Sequence, residues 1–233
     1  ACVYGKFDAT RKDLALIVWG DSLATSPRKL FADMAANGKV VVMFSSPACG
    51  PLLGTWKIVP DPQQTCRAKN ERIVSFIKRH PADLLMIAAW NELSTVFTGP
   101  TRLVSAELEP KSADQLEKVF SQGFDQSITA AGDRKIFILA QPPRYPMDPA
   151  SYVIKQRILG SPLKPFVSRD AYEKKTSIVK AAAAAHSNVT YIDAIETFCP
   201  EADCVYTRDG IPLYHDGVHL NSTGSKMISD LVR

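Results

Sequence analysis

Histidine is scarce in this chain: His80, His186, His215 and His219 are the four that occur among 233 residues. No run of about 18 apolar residues is present, which excludes a membrane-spanning helix within the sequence. No N-terminal stretch reads as a signal peptide, and the chain opens on Ala1-Cys2 rather than Met. It is expected to be a mature form or an excised part of a longer protein. Charge of one sign is not in excess: 28 Lys+Arg against 24 Asp+Glu leaves +4, too little to mark a nucleic-acid-binding protein. The one basic run (Arg67, Lys69, Arg72, Lys78, Arg79, opposed by Glu71) falls on a single expected helix and reads as its solvated face. Internal repeats are absent. So are low-complexity tracts, apart from Ala181–Ala185, which is good helix former. No domain boundary is visible, and 1–233 is expected to be a single domain with a sizeable core.

Five cysteines are present. Cys199 and Cys204 are separated by Pro-Glu-Ala-Asp, a loop that one disulfide would close. Cys49 and Cys66 flank a loop rich in Pro and Gly that a second would staple. Cys2 is left over. Two such bonds imply an oxidising compartment, periplasmic or secreted; five reduced thiols is the competing reading. No histidine lies near these cysteines at zinc-ligand spacing, so neither a metal site nor a cofactor is expected.

Short apolar runs alternate with helical patterns along the chain. Residues 13–19, 39–44 (KVVVMF), 83–90 (DLLMIAAW), 135–140 (KIFILA) and 189–192 read as buried strands. Residues 26–38, 64–79, 111–131 and 168–185 read as helices, with a last one starting near Ser222. Residues 45–62 form a Pro/Gly-rich loop, Gly99-Pro100 a break, and 144–165 an irregular excursion marked by prolines. Continuous apolar strands between helices mean an α/β fold with a parallel sheet covered on both faces.

In such a sheet, sites form beyond the carboxyl ends of the strands. After the first strand comes Gly20-Asp21-Ser22-Leu23. The glycine permits a sharp turn and the serine opens a helix, where backbone N–H groups favour anionic oxygen. A serine there is a candidate nucleophile. It is also a candidate N-cap, the commoner role for the tripeptide taken alone. A nucleophilic serine needs a base. His80 and His186 read as helix-terminus residues. The segment Leu213-Tyr-His-Asp-Gly-Val-His-Leu-Asn221 is a loop before the last helix. Asp216 and His219, three apart, can meet through one imidazole nitrogen while the other points away. An exposed polar loop is the simpler reading of that motif alone. The two segments together change it, because each supplies what the other's chemistry lacks.

Gly20-Asp21-Ser22-Leu23 resembles the first conserved block of the SGNH/GDSL hydrolases, and Asp216-Gly-Val-His219 resembles their last. The resemblance spans nearly the whole chain. It implies a three-layer α/β/α sandwich built on a flavodoxin-like, five-stranded parallel sheet, with Ser22 as nucleophile, His219 as base and Asp216 as its orienter. The middle blocks depart from the pattern. Asn91 stands at the block III asparagine with Ala89 and Glu92 replacing the flanking Gly and Asp; a shifted alignment puts Trp90 there instead. The block II glycine is displaced, leaving the amide of Ser46 or Gly50 as the second donor. The oxyanion hole implied is Ser22, Ser46 and Asn91, and loss of one donor costs about 3–4 kcal/mol in the transition state.

A narrower resemblance rests on Cys49-Gly-Pro-Leu-Leu-Gly54, the strand end at Trp90, and Cys199…Cys204 leading to Pro212-Leu-Tyr-His-Asp-Gly-Val-His-Leu. These are similar to SGNH domains fused behind a membrane acyltransferase-3 domain in bacterial O-acetyltransferases. The resemblance implies a periplasmic domain, tethered by an upstream membrane acyltransferase domain. Its substrate would be a surface polysaccharide such as O-antigen. Leu23 stands where that subgroup often has histidine. A plain carbohydrate acetylesterase and a non-catalytic glycan-binding module are the rival readings. The loops 94–110 and 144–165 are candidates to shape a sugar cleft. Tyr145, Tyr152, Trp56 and Trp90 are candidates either to stack on sugar or simply to pack. Two sequons, at Asn188 and Asn221, matter only in a eukaryotic secretory setting.

Overall fold

The apolar runs of the sequence become the strands of one sheet. A computed structural model describes residues 1–7, 14–57, 65–96, 98 and 102–232. Strands β2 (Leu16–Gly20), β3 (Val41–Ser45), β5 (Asp83–Ile87), β7 (Ile136–Leu139) and β8 (Val189–Ile192) pair in parallel in the order β3-β2-β5-β7-β8. Counted along the chain this is 2-1-3-4-5, the flavodoxin-like order. A sixth strand, β1 (Cys2–Tyr4), adds antiparallel to the β3 edge, pairing Cys2 with Met43. The sequence reading has no such strand, because three residues with no apolar run carry no signal of their own. Two small antiparallel pairs stand apart: β4 (Thr55–Lys57) with β6 (Leu103–Ser105), and β9 (Thr207–Arg208) with β10 (Ile211–Pro212).

Helices α1 (Arg28–Ala36), α2 (Thr65–Arg79), α4 (Ala113–Ala131), α6 (Arg169–Ala184) and α8 (Ser222–Val232) cover the sheet. Side chains alternate between the two faces of each strand. Leu16 and Val18 of β2 join Phe31 of α1 and Ile228 of α8 on one side; Ile17 and Trp19 join Ile77 of α2 and Phe120 of α4 on the other. Both faces are apolar, which is why the strands read as continuous runs rather than alternating ones.

Element bounds differ from expectation at the strand ends. β5 stops at Ile87, and Trp90 opens a short helix α3 (Trp90–Thr95) instead of closing the strand. The excursion 144–165 contains a helix, α5 (Pro149–Leu159), capped by Asp148 and ended by Gly160 in the left-handed region. A four-residue helix α7 (Ile195–Phe198) follows β8. The expected starts at Asp13 and Gln64, the end of the loop at Pro62 and the Gly99-Pro100 break lie outside the described residues.

Both disulfides are present. Cys49–Cys66 ties the loop after β3 to the first turn of α2, and Cys199–Cys204 closes the loop after α7. Cys2 is an exposed free thiol. The two bonds close loops of 17 and 5 residues. Replacing Cys49 and Cys66 together by Ser is expected to lower the unfolding free energy by about 3 kcal/mol, against about 2 for Cys199 and Cys204. Urea titration of the two double variants checks this, and an equal or reversed ranking contradicts it.

Candidate active site

The chain leaves β2 at Gly20, where there is no room for a side chain: a Cβ would lie 1.9 Å from the carbonyl oxygen of Ile87. Asp21 follows, buried to 3% exposure. Its carboxylate accepts the N–H of Leu23 at 2.9 Å and that of Ala89 at 2.8 Å. The first bond caps a single 3-10 turn over Ser22–Thr25. The second ties this turn to the loop after β5, so β2 and β5, the strands on either side of the topological switch, share one clamp. Burial pushes the Asp21 carboxyl up from its ordinary value, while the two amides oppose it. Leu23 fills the core at 1% exposure. Ser22 is left half-buried at the carboxyl rim of the sheet.

The second segment arrives from the far end of the chain. Asp216 Oδ1 accepts the N–H groups of Val218 and His219, at 2.7 and 2.6 Å, which winds the loop into a tight turn. Gly217 sits where a Cβ would lie 2.4 Å from the carbonyl of Tyr145. The Tyr145 N–H donates to the Gly217 carbonyl at 2.8 Å and pins the turn from outside. Asn221 closes it: its Oδ1 accepts from Thr223 and Gly224 at the start of α8, while its amide donates to the Pro212 carbonyl. The other sequon asparagine, Asn188, likewise donates to two backbone carbonyls, of Gly132 and Arg134.

These two segments, 197 residues apart, meet. His219 Nδ1 lies 2.8 Å from Asp216 Oδ2, and His219 Nε2 lies 2.9 Å from Ser22 Oγ. With Nδ1 donating to the carboxylate, Nε2 is the acceptor for the serine hydroxyl. Burial acts to raise the Asp216 carboxyl, but the His219 and Val218 amides and the imidazole outweigh it and draw it down to about 2. The His215 ring stacks on that of His219 at 5.5 Å between centroids, and its Nδ1 is 3.6 Å from Asp216 Oδ2. His215, Asp216 and His219 thus bring three ligand-type atoms within 4.8 Å, but the Asp216 oxygens and His219 Nδ1 are already bonded to one another or to backbone N–H.

The remaining expected residues divide. Ser46 does not offer a free amide: its N–H donates to the Gly20 carbonyl at 3.1 Å, prolonging the β2–β3 ladder by one bond, and its Oγ accepts from Lys69. Asn91 lies in the first turn of α3, directly after the loop held by Asp21; its N–H donates to Gln141 Oε1 and its Oδ1 is buried without a partner. Trp90 is core: its indole N–H donates to the Leu139 carbonyl at 2.9 Å and its ring packs on Phe120 and Phe124. That removes it as a sugar platform. Tyr145 is buried as well, packed edge-on against Tyr206 and Tyr214. Tyr152 packs on Phe166 and Tyr206, and Trp56 pairs with Val104 between β4 and β6. Sequence reasoning missed Asp21 as the clamp; its one legible signal was a carboxylate between a strand-ending glycine and a helix-opening serine.

A 2-1-3-4-5 parallel sheet, with a serine after its first parallel strand bonded to an imidazole from the last loop, has the fold of the SGNH/GDSL hydrolases. A family model described as "SGNH domain (fused to AT3 domains)" matches residues 1–233, and the chain belongs to that family. Among solved structures, the periplasmic domain of a lipopolysaccharide acetyltransferase from Salmonella ser. Paratyphi A is similar with 18% identity and a TM-score of 0.65, over 95% of this chain and 83% of that one. A lipase/acylhydrolase from Enterococcus faecalis is similar with 14% identity and a TM-score of 0.53, over 94% and 93%. A search of curated proteins finds no match.

The Asp216 carboxyl yields a pH test. Its folded value lies below its ordinary one, so the stability it contributes is complete above about pH 4 and is lost as pH falls toward 2. The stability gap between the native protein and Asp216→Asn is therefore expected to shrink between pH 5 and pH 2, by urea titration at each pH. A constant gap contradicts it.

Proposed function

We propose that this chain is one domain, 1–233, and acts as a serine acyltransferase passing an acetyl group to a hydroxyl of a bacterial surface polysaccharide such as O-antigen, through an acyl-serine intermediate. The observation that carries the reading is the unbroken chain Ser22 Oγ–His219 Nε2, His219 Nδ1–Asp216 Oδ2, with bonds of 2.9 and 2.8 Å.

In this mechanism His219 Nε2 takes the hydroxyl proton as Ser22 Oγ attacks the acyl carbonyl. The carbonyl π pair moves to oxygen, and the oxyanion rests on the Ser22 N–H and the Asn91 side-chain amide. Ser46 has no part in it, because its N–H is spent on Gly20. Asp216 holds the imidazole in the tautomer that leaves Nε2 free and then stabilises its charged form. Collapse returns the His219 proton to the leaving group and leaves acyl-Ser22. A sugar hydroxyl then gives its proton to His219, attacks the ester, and releases Ser22 Oγ, which recovers the proton.

Water in place of the sugar makes the same site an acetylesterase, so the acceptor decides the activity and not the triad. The family model's fusion to AT3 domains favours transfer and supports a membrane acyltransferase domain as the covalent partner. The two disulfides support a periplasmic or secreted setting.

Labelling with a fluorophosphonate serine probe tests the nucleophile. Native protein is expected to label and Ser22→Ala is not; equal labelling refutes the assignment. Ser22→Ala is also expected to lose on the order of 10⁶-fold in turnover. Mixing protein, acetyl donor and deacetylated polysaccharide, with acetyl followed by mass, is expected to show acetyl on the glycan. Acetyl recovered wholly as free acetate identifies the esterase instead.

A further inference from the structure

A cleft of about 310 Å³ lies between α3, the segment after β7 and α6. Its walls include Asn91 and Glu92 of α3 and Arg144 and Tyr145 after β7, faced by Phe166 and by Lys175 of α6. The first wall is tied to the residue before Ser22, through Ala89 N–H to Asp21 Oδ2 at 2.8 Å. The second is tied to the residue between Asp216 and His219, through Tyr145 N–H to the Gly217 carbonyl at 2.8 Å. The two backbone ties that set the reacting side chains therefore also set the walls of the cleft.

The lining has a definite chemistry. Phe166 is 39% exposed and lines the cleft with an aromatic ring. Its ring is held edge-on by Tyr152 at 5.0 Å and Tyr206 at 5.8 Å, so it loses little conformational freedom when a flat apolar face stacks on it. Arg144 Nη1 donates to Glu92 Oε1 at 2.9 Å. That bond orients the guanidinium while the side chain stays 55% exposed, with further N–H donors in a planar fork that fits a carboxylate. Lys175, exposed, adds a second cation. Glu92 is the one carboxylate among the described lining residues, so the rim keeps a net positive charge. Asn91, more than nine-tenths buried, brings a carbonyl oxygen with no partner to the same wall.

We propose that this cleft is the subsite for an acidic sugar residue of the acceptor glycan, with Phe166 stacking on the sugar ring and Arg144 and Lys175 binding its carboxylate. A neutral sugar satisfies the aromatic platform but leaves the cationic rim with hydroxyl partners alone. The proposal rests on the acyltransferase reading for why a glycan should lie here, but its test measures binding without turnover.

Ser22→Ala is titrated calorimetrically with acidic oligosaccharides (oligogalacturonate, oligosialate, hyaluronate) and with a neutral oligogalactose of equal length. At least one acidic oligomer is expected to bind about tenfold more tightly than the neutral one, as charge-assisted bonds to a carboxylate imply. The advantage is expected to shrink as salt rises. Arg144→Gln with Lys175→Gln is expected to remove the advantage, and Phe166→Ala to weaken acidic and neutral oligomers alike. Circular dichroism of each variant establishes that it is folded. Acidic and neutral oligomers binding equally, or not at all, would overturn the proposal, as would a folded Phe166→Ala that binds like its parent. Because Ser22 is already replaced, none of these outcomes depends on its being the nucleophile, which probe labelling decides separately.

Discussion

The arrangement at the carboxyl rim depends on one buried carboxylate. Asp21 spends both oxygens on backbone amides, one in its own turn and one beyond the neighbouring strand. A buried carboxylate is costly to leave unpaired, so the two amides are held in place by the same desolvation that penalises any alternative. The turn carrying Ser22 and the loop leading to Asn91 are therefore joined through one side chain. Asp216 repeats the device at the other end of the chain, with one oxygen on two amides and the other on the imidazole. Ser22 and His219 are thus each positioned by a carboxylate–backbone clamp on a rigid sheet rather than by their own rotamer preferences.

A second support comes from below. The rings of Tyr145, Tyr206 and Tyr214 pack edge-on beneath the histidine loop, and Phe198 joins them at Tyr214. The Cys199–Cys204 disulfide sits in the same cluster. Val205 N–H donates to the Phe198 carbonyl at 2.7 Å across that bond, and Leu213 N–H to the Tyr206 carbonyl at 2.9 Å. A long irregular stretch between α7 and α8 is in this way given the rigidity of a core. Loops that carry chemistry need such support, since they lack the ladder of a strand or helix to hold them.

Much of this was legible in one dimension. The five buried strands follow from apolar runs and the parallel sheet from their alternation with helices. Ser22, Asp216 and His219 follow from what a serine nucleophile requires and from the blocks they resemble. The less legible parts depend on partners distant in sequence. β1 is a strand because Val41–Met43 offers an edge to it. α5 hides in a proline-marked stretch because its proline stands at the N-terminal position a helix tolerates. Ser46 looked like a free amide because nothing local shows that the Gly20 carbonyl takes it. Trp90 looked like a strand end facing a cleft, and turned inward because the Leu139 carbonyl and two phenylalanines offered its ring a better place.

By itself the sequence determined the class of sheet, the disulfide partners and the residue types able to carry acyl chemistry, because periodicity, loop spacing and side-chain chemistry are local properties. Only the tertiary structure decided which amides are free, which aromatics are buried, and that Arg144, Phe166 and Lys175 come to line one cleft. Those outcomes turn on competition between groups far apart in the chain for the same hydrogen bonds and the same apolar volume, and that competition exists only once the sheet has brought them together.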